Sequence, residues 1–281
     1  MKNVAPEHFV KKHDFLICVD SDGCAVDTMD IKHQLCFGPR MVDEWGLDEW
    51  RDQIQARWEE INLYSMTRGI NRFLGLVMAL EEINETYCKI EGLDELKAWT
   101  QATKELSNPA LEAEVERTGS AVLAKALSWS KAVNASIAAL PWEVKKAFPG
   151  VREGFLAVKD FADIAIVSAA NRDAVEEEWE RFGLLELVDV MMCQDVGSKA
   201  ACIKAMLEKG FAPDHVLMCG DAPGDLDAAK KNGVFFYPIL TRHEAASWEE
   251  FPEAAGKLKD GTYAPYGVKK AEEFVSNLSN G

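Results

Sequence analysis

The chain predicts an α/β fold: a parallel sheet covered by helices on both faces, interrupted by one long all-helical insertion. Three observations carry this. From about residue 149 onward, short fully apolar runs alternate with helical patterns. An isolated run of the same type, FLICV at 15–19, stands near the start. Between the two, almost every stretch has helical spacing and continuous β-branched runs are absent. Fully apolar short strands separated by helices belong to parallel sheets buried on both faces. We therefore expect an α/β core of residues 1–27 and 149–281, with residues 28–148 inserted as a helical domain.

Each element has its own signal. In LDEWRDQIQARWEEINLY, Leu47, Trp50, Ile54, Trp58 and Ile61 recur at spacings of three and four, one face of a helix. GINRFLGLVMALEEINE is a second apolar helix. NPALEAEVERTGSAVLAKALSW starts on Asn108 as a cap, with Pro109 at the first helical position. Asp27 and Thr28 are expected to cap the first helix of the insertion. After Pro149-Gly150 the order is helix (VREGFLAVKDF), strand (IAIVS, 164–168), helix (RDAVEEEWERFGL), strand (VDVMMC). Next come a helix capped by Ser198 and ended by Gly210, the strand HVLMCGD, the helix DLDAAKKNG and the strand VFFYPIL. Beyond about residue 241 the pattern is harder to read, apart from a final helix in KKAEEFVSNL.

Composition narrows the function. The 281 residues carry a formal net charge of -16. That argues against a general nucleic-acid or anionic-membrane binder, since both rest on an excess of Lys and Arg. No stretch approaches the roughly 20 apolar residues that span a bilayer, and the opening MKNVAPEHFVKKHDF has no apolar signal core. The seven cysteines are scattered without a CxxC pair. Cys18, Cys193, Cys202 and Cys219 lie in apolar runs, as small buried hydrophobes do. A reducing, cytoplasmic setting is expected.

The chemistry is expected at one edge of the sheet. In open α/β sheets, ligands bind at the carboxyl ends of the strands. Three strands stop there on polar groups: the first on Asp20-Ser21-Asp22-Gly23, the strand at 164 on Ser168, and the strand at 216 on Gly220-Asp221, with Asp225 four residues on. Clustered carboxylates repel one another unless a cation joins them. Magnesium suits an all-oxygen set, and these motifs hold no His or Cys to favour zinc or iron. An aspartate beside such a cation can attack phosphorus, and a second carboxyl can protonate the leaving oxygen. Ser168 and Lys199, at the start of a helix, supply donors for a phosphate. Taken singly, Asp-x-Asp-Gly is a turn and Lys199 a solvated residue. Their common placement, each at a strand end or helix start, is the specific signal.

With these motifs in place, the chain resembles the haloacid dehalogenase-like hydrolase superfamily. FLICVDSDG is similar to its first motif, IAIVS to its second, Lys199 to its third and GDAPGD to its fourth. The resemblance implies a Rossmann-like core, with Asp20 as nucleophile and Asp22 as general acid/base. It implies Ser168 and Lys199 as phosphate-binding groups, and a Mg2+ site of Asp20, the Asp22 backbone carbonyl and Asp221, with Asp225 as a ligand or the holder of a coordinated water. The insertion between the first two motifs matches the helical cap of the phosphoglycolate phosphatase and β-phosphoglucomutase-like branch. Cys24 departs from the usual small hydroxyl residue. Asp22 favours phosphate-ester chemistry, because the dehalogenases of the superfamily lack this second aspartate.

The expected function is a magnesium-dependent phosphatase of a small phosphorylated metabolite, acting through an aspartyl-phosphate as a monomer or homodimer. The alternatives are a sugar phosphomutase and a phospho-ligand binding protein without turnover. Arg68 and Arg72, four apart in SMTRGINRF, would share a helix face and meet an anionic substrate. Asn171, three after Ser168, is a further substrate-binding candidate.

Overall fold

A computed structural model describes residues 5–279. Its strands are β1 (Phe15–Val19), β2 (Val26–Asp27), β3 (Lys146–Ala147), β4 (Ala162–Val167), β5 (Val190–Met192), β6 (Val216–Gly220) and β7 (Phe235–Pro238). Five of them form a sheet in the order β5-β4-β1-β6-β7, every pair parallel. β1 is central, which explains its unbroken apolar sequence: both faces are covered. Leu16 and Cys18 join one core, with Ala165, Val167, Met218, Cys202, Ile203 and Phe274. Ile17 and Val19 join the opposite core, with Ile164, Ile166, Phe155, Trp179, Trp248 and Phe251. That alternation is the two-residue period of a strand.

The helices flanking the sheet are α8 (Val151–Val158), α9 (Arg172–Arg181), α10 (Lys199–Glu208), α11 (Pro223–Asn232), α12 (Glu244–Lys259) and α13 (Tyr263–Ser279). The earlier helices are α1 (Met29–Lys32), α2 (Gly38–Trp45), α3 (Arg51–Leu63), α4 (Arg72–Thr86), α5 (Leu93–Ala102), α6 (Asn108–Thr118) and α7 (Ala121–Ala138). Contacts divide the chain into two compact units. One takes the chain up to Met29 and from Lys145 onward; the other is Asp30–Val144. The helical unit has its own apolar core, built on Trp58, Trp129, Phe73, Trp99, Leu76 and Leu96. The Trp58 and Trp129 rings meet edge to face at 6.0 Å.

Several local expectations are corrected. The stretch 108–129 is two helices, because Gly119 takes a left-handed φ of 66° and Ser120 caps a new start. The cap of the first is Ser107, whose hydroxyl accepts the Ala110 N–H; Asn108 lies inside the helix. The α/β unit also takes in residues 28–29 and 145–148, and within it β2 and β3 pair antiparallel. Asp27 there meets Lys146 at 3.3 Å instead of capping a helix. Arg68 is not helical: α4 begins at Arg72, after a turn at Gly69 (φ 70°) and an Asn71 cap, so the two arginines share no helix face. The helix α12 was hidden by Pro252 and Gly256, which look like breakers. Its buried stripe of Trp248, Phe251, Ala255 and Leu258 has helical spacing and outweighs them.

Candidate active site

The first strand carries its carboxylate to the sheet edge. Asp20 continues the ladder by donating its N–H to the Cys219 carbonyl at 3.0 Å. The chain then turns sharply, with Gly23 at φ 80°, a conformation that favours glycine. Ser21 organises this turn. Its N–H donates to Asp20 Oδ1 at 2.7 Å, and its carbonyl accepts the N–H groups of Cys24, Ala25 and Val26. The Cys24 side chain is buried, and its thiol lies 3.5 Å from the Cys219 carbonyl. Asp22 Oδ1 accepts a hydrogen bond from the buried Thr28 hydroxyl at 2.5 Å. Thr28, expected as a helix cap, turns its hydroxyl to Asp22 instead.

β4 and β6 deliver the next groups. Ser168 is buried just beyond β4; its N–H donates to the Met192 carbonyl at 3.0 Å, and its Oγ accepts the Ala170 N–H at 3.1 Å. β6 ends on Gly220, followed by the buried Asp221. Asp225 lies in the first turn of α11, and its Oδ2 accepts the Ala222 N–H at 3.1 Å. Gly220 is required here: a Cβ at that position would fall 2.3 Å from the Asp225 carboxyl carbon.

Lys199 opens α10 behind its Ser198 cap. Its Nζ donates to Asp20 Oδ2 and to Asp225 Oδ1, both at 2.6 Å. Asp20, Asp221 and Asp225 each bring an oxygen to within 4.8 Å of the others. Burial, opposed by Lys199 and assisted by Asp225, pushes the Asp20 carboxyl up to about 6. Burial likewise raises Asp225, against Lys199. For Lys199, burial disfavours the charge, but Asp20 and Asp225 outweigh it and the ammonium is held well above its ordinary value. Two buried carboxylates share the Lys199 ammonium with the buried Asp221 beside them, an arrangement that is costly in a low dielectric. An all-oxygen set of this kind fits a hard divalent cation such as Mg2+.

Asn171 caps α9, its Oδ1 accepting the Asp173 and Ala174 N–H groups. Within the helical unit, the buried Arg68 donates to the Leu63 carbonyl at 2.7 Å and lies 3.8 Å from Asp30. Arg72 donates to Ser130 Oγ and Asn134 Oδ1 and stacks its guanidinium over Phe37. These three have structural partners where the sequence suggested substrate contacts. Sequence reasoning did not link Ser21, Thr28, Trp179 and Trp248 to one another, yet all four make hydrogen bonds at the turn that carries Asp20 and Asp22. The Trp179 indole N–H donates to Ser21 Oγ at 2.8 Å, and that of Trp248 to the Cys24 carbonyl at 2.8 Å. The one available signal was a serine at position 21, where a residue buried at a strand end is more often apolar.

A parallel α/β sheet with clustered carboxylates at its carboxyl edge defines an α/β protein with a candidate cation-dependent site. The profile of the haloacid dehalogenase-like hydrolases matches residues 79–239, more than half of the chain, and the chain belongs to that family. The matched span contains Ser168, Lys199, Asp221 and Asp225; Asp20 and Asp22 precede it. Among solved structures, a candidate haloacid dehalogenase-like hydrolase from Bacteroides fragilis aligns with a TM-score of 0.50 at 13% identity, covering 84% of this chain and 93% of that one. A candidate β-phosphoglucomutase from Thermotoga maritima aligns with a TM-score of 0.49 at 17% identity, covering 88% and 99%. Validoxylamine A 7'-phosphate phosphatase of Streptomyces hygroscopicus subsp. limoneus is 31% identical over 108 residues, 35% of this chain and 47% of the relative. The chain thus matches about half the length of that curated relative. No helix among the described residues is long and apolar enough to cross a membrane.

Proposed function

We propose that the protein is a Mg2+-dependent phosphatase that hydrolyses a small phosphorylated metabolite through an aspartyl-phosphate. One observation carries the reading: Asp20, Asp221 and Asp225 converge on one point beside Lys199 at the carboxyl edge of the sheet. The relative named a 7'-phosphate phosphatase supports hydrolysis over phosphoryl return to a sugar.

Asp20, Asp221 and Asp225 would hold the cation, with the Asp22 carbonyl as a further ligand. When bound, the cation supplies positive charge that offsets the phosphate and the clustered carboxylates. A carboxylate oxygen of Asp20 attacks phosphorus as the ester P–O bond breaks. Asp22 gives its proton to the departing oxygen. Thr28, hydrogen-bonded to Asp22, holds that carboxyl in place. Asp22 then takes a proton from water, whose oxygen attacks phosphorus. The P–O bond to Asp20 breaks, releasing inorganic phosphate and regenerating both carboxyl groups. Ser168 and Lys199 bind the phosphoryl oxygens.

The test is phosphate release from an aryl phosphate with and without Mg2+. Asp20→Asn is expected to lower kcat by roughly 10³-fold or more, since the covalent route is lost. Equal rates for the variant and the wild type would overturn the mechanism. Ligand binding without release, across a panel of phosphorylated metabolites, would favour a binding protein. An isomerised phosphosugar with little free phosphate would favour a mutase.

A further inference from the structure

Ser21 is the single residue between the proposed nucleophile and the proposed proton carrier, and it is completely buried. Its backbone N–H is committed to Asp20 Oδ1, and its carbonyl to three N–H groups of the turn. Its hydroxyl accepts the Trp179 indole N–H at 2.8 Å. Trp179 is fully buried in α9. Its ring stacks on Phe155 at 5.7 Å. Phe155 also meets Trp248 at 5.6 Å, edge to face, and Trp248 packs on Phe251 at 5.2 Å. Trp248 sends a second indole N–H to the Cys24 carbonyl at 2.8 Å. Two aromatic donors from one rigid cluster thus hold the turn, one on each side of Asp22. A buried indole N–H needs an acceptor, so each bond resists rotation of the loop and of the ring together.

We propose that Trp179 is a positioning residue, acting through Ser21 to hold Asp20 and Asp22 at their working orientation. The inference rests on the phosphatase reading above and assigns a role to a residue outside its four motifs. Rotation at Ser21 would move both carboxyl groups relative to the phosphorus. A shift of about 1 Å at a reacting centre costs about 10²-fold in rate. The bond acts on geometry during the chemical steps and touches neither the substrate nor the cation. It should therefore appear in kcat and hardly in KM.

The experiment compares the full chain with Ser21→Ala, Trp179→Phe and the double variant, using Mg2+ and an aryl phosphate, well below the thermal midpoint of each protein. Each single variant is expected to lose roughly 10- to 100-fold in kcat with KM within about twofold. The double variant is expected to be no slower than the slower single, because both remove one bond. Losses that multiply in the double, or a lowered midpoint with kcat unchanged, would overturn the proposal. If Trp179→Phe does not fold, Ser21→Ala decides alone: it removes one oxygen and leaves the ring in place. Wild-type protein that releases no phosphate would sink the phosphatase reading and this inference together. Active wild type with an unaffected Ser21→Ala would sink the inference alone.

Discussion

The two units differ in how they bury charge. In the helical unit, several buried polar side chains are satisfied close by. Asn62 donates to the Trp58 carbonyl one turn back, Thr100 to the Lys97 carbonyl, and Ser120 caps its own helix. Arg68 donates to the Leu63 carbonyl five residues back. In the α/β unit, Asp20, Asp221, Asp225 and Lys199 come from three distant parts of the chain and are buried together. Local satisfaction stabilises a fold. Convergent buried charge costs stability, and it persists where chemistry needs it. The helical unit should therefore respond to mutation in stability alone, and the sheet edge in stability and cation response together.

The sharpest break in that comparison is Lys199→Met. Two buried carboxylates lose their counter-charge, so stability is expected to fall by about 3–5 kcal/mol in metal-free protein, and kcat by roughly 10²-fold. Added Mg2+ should recover part of the stability. Arg68→Met, also buried and paired, should destabilise without any Mg2+ recovery. Thermal melts of both variants with and without Mg2+ test this; equal responses would remove the distinction.

Gly220→Ala is next. Its Cβ would collide with the Asp225 carboxyl group, so the Mg2+-induced rise in thermal midpoint should be largely lost. Gly119→Ala places a Cβ in open space in the helical unit. It should cost about 1–2 kcal/mol for the left-handed backbone and leave the Mg2+ response intact.

The pH dependence is a smaller effect and follows from Asp20. Its folded pKa of about 6 lies above the ordinary 3.8. The folded state retains this proton when the unfolded chain has already lost it. This group therefore lowers stability as pH rises from about 4 to 6, and its full cost applies above 6. A cation binds the ionised carboxylate, so Mg2+ should raise the midpoint more at pH 7.5 than at pH 5. A shift independent of pH would contradict the assignment of Asp20 to the cation site. The smallest effects belong to the helix caps. Ser107→Ala and Ser120→Ala should each cost about 1 kcal/mol with kcat unchanged.

The sequence made some of this legible and hid the rest for a physical reason. Apolar runs such as FLICV and IAIVS announce a two-sided sheet, because a strand buried on both faces has no polar alternation. The motif residues were legible because each closes an element: Asp20, Ser168 and Asp221 end strands, and Lys199 starts a helix. Parallel strands then bring such ends to one edge. That edge could be deduced from order alone, and with it a cluster of carboxylates suited to a cation. The break at Gly119 was misread, since one glycine inside a helical pattern does not say whether its φ is positive. Contacts that tie the active-site turn to other elements were beyond the sequence. Trp179 is 158 residues from Ser21 and Trp248 is 224 from Cys24. A tryptophan at helical spacing predicts burial and not the acceptor its N–H will find. Periodicity and the order of motifs determined which groups this protein would bring to the edge of its sheet. The angle at which Asp20 and Asp22 are held there was decided by packing between helices far apart in the chain, because side-chain direction is set by the neighbours that fill the space.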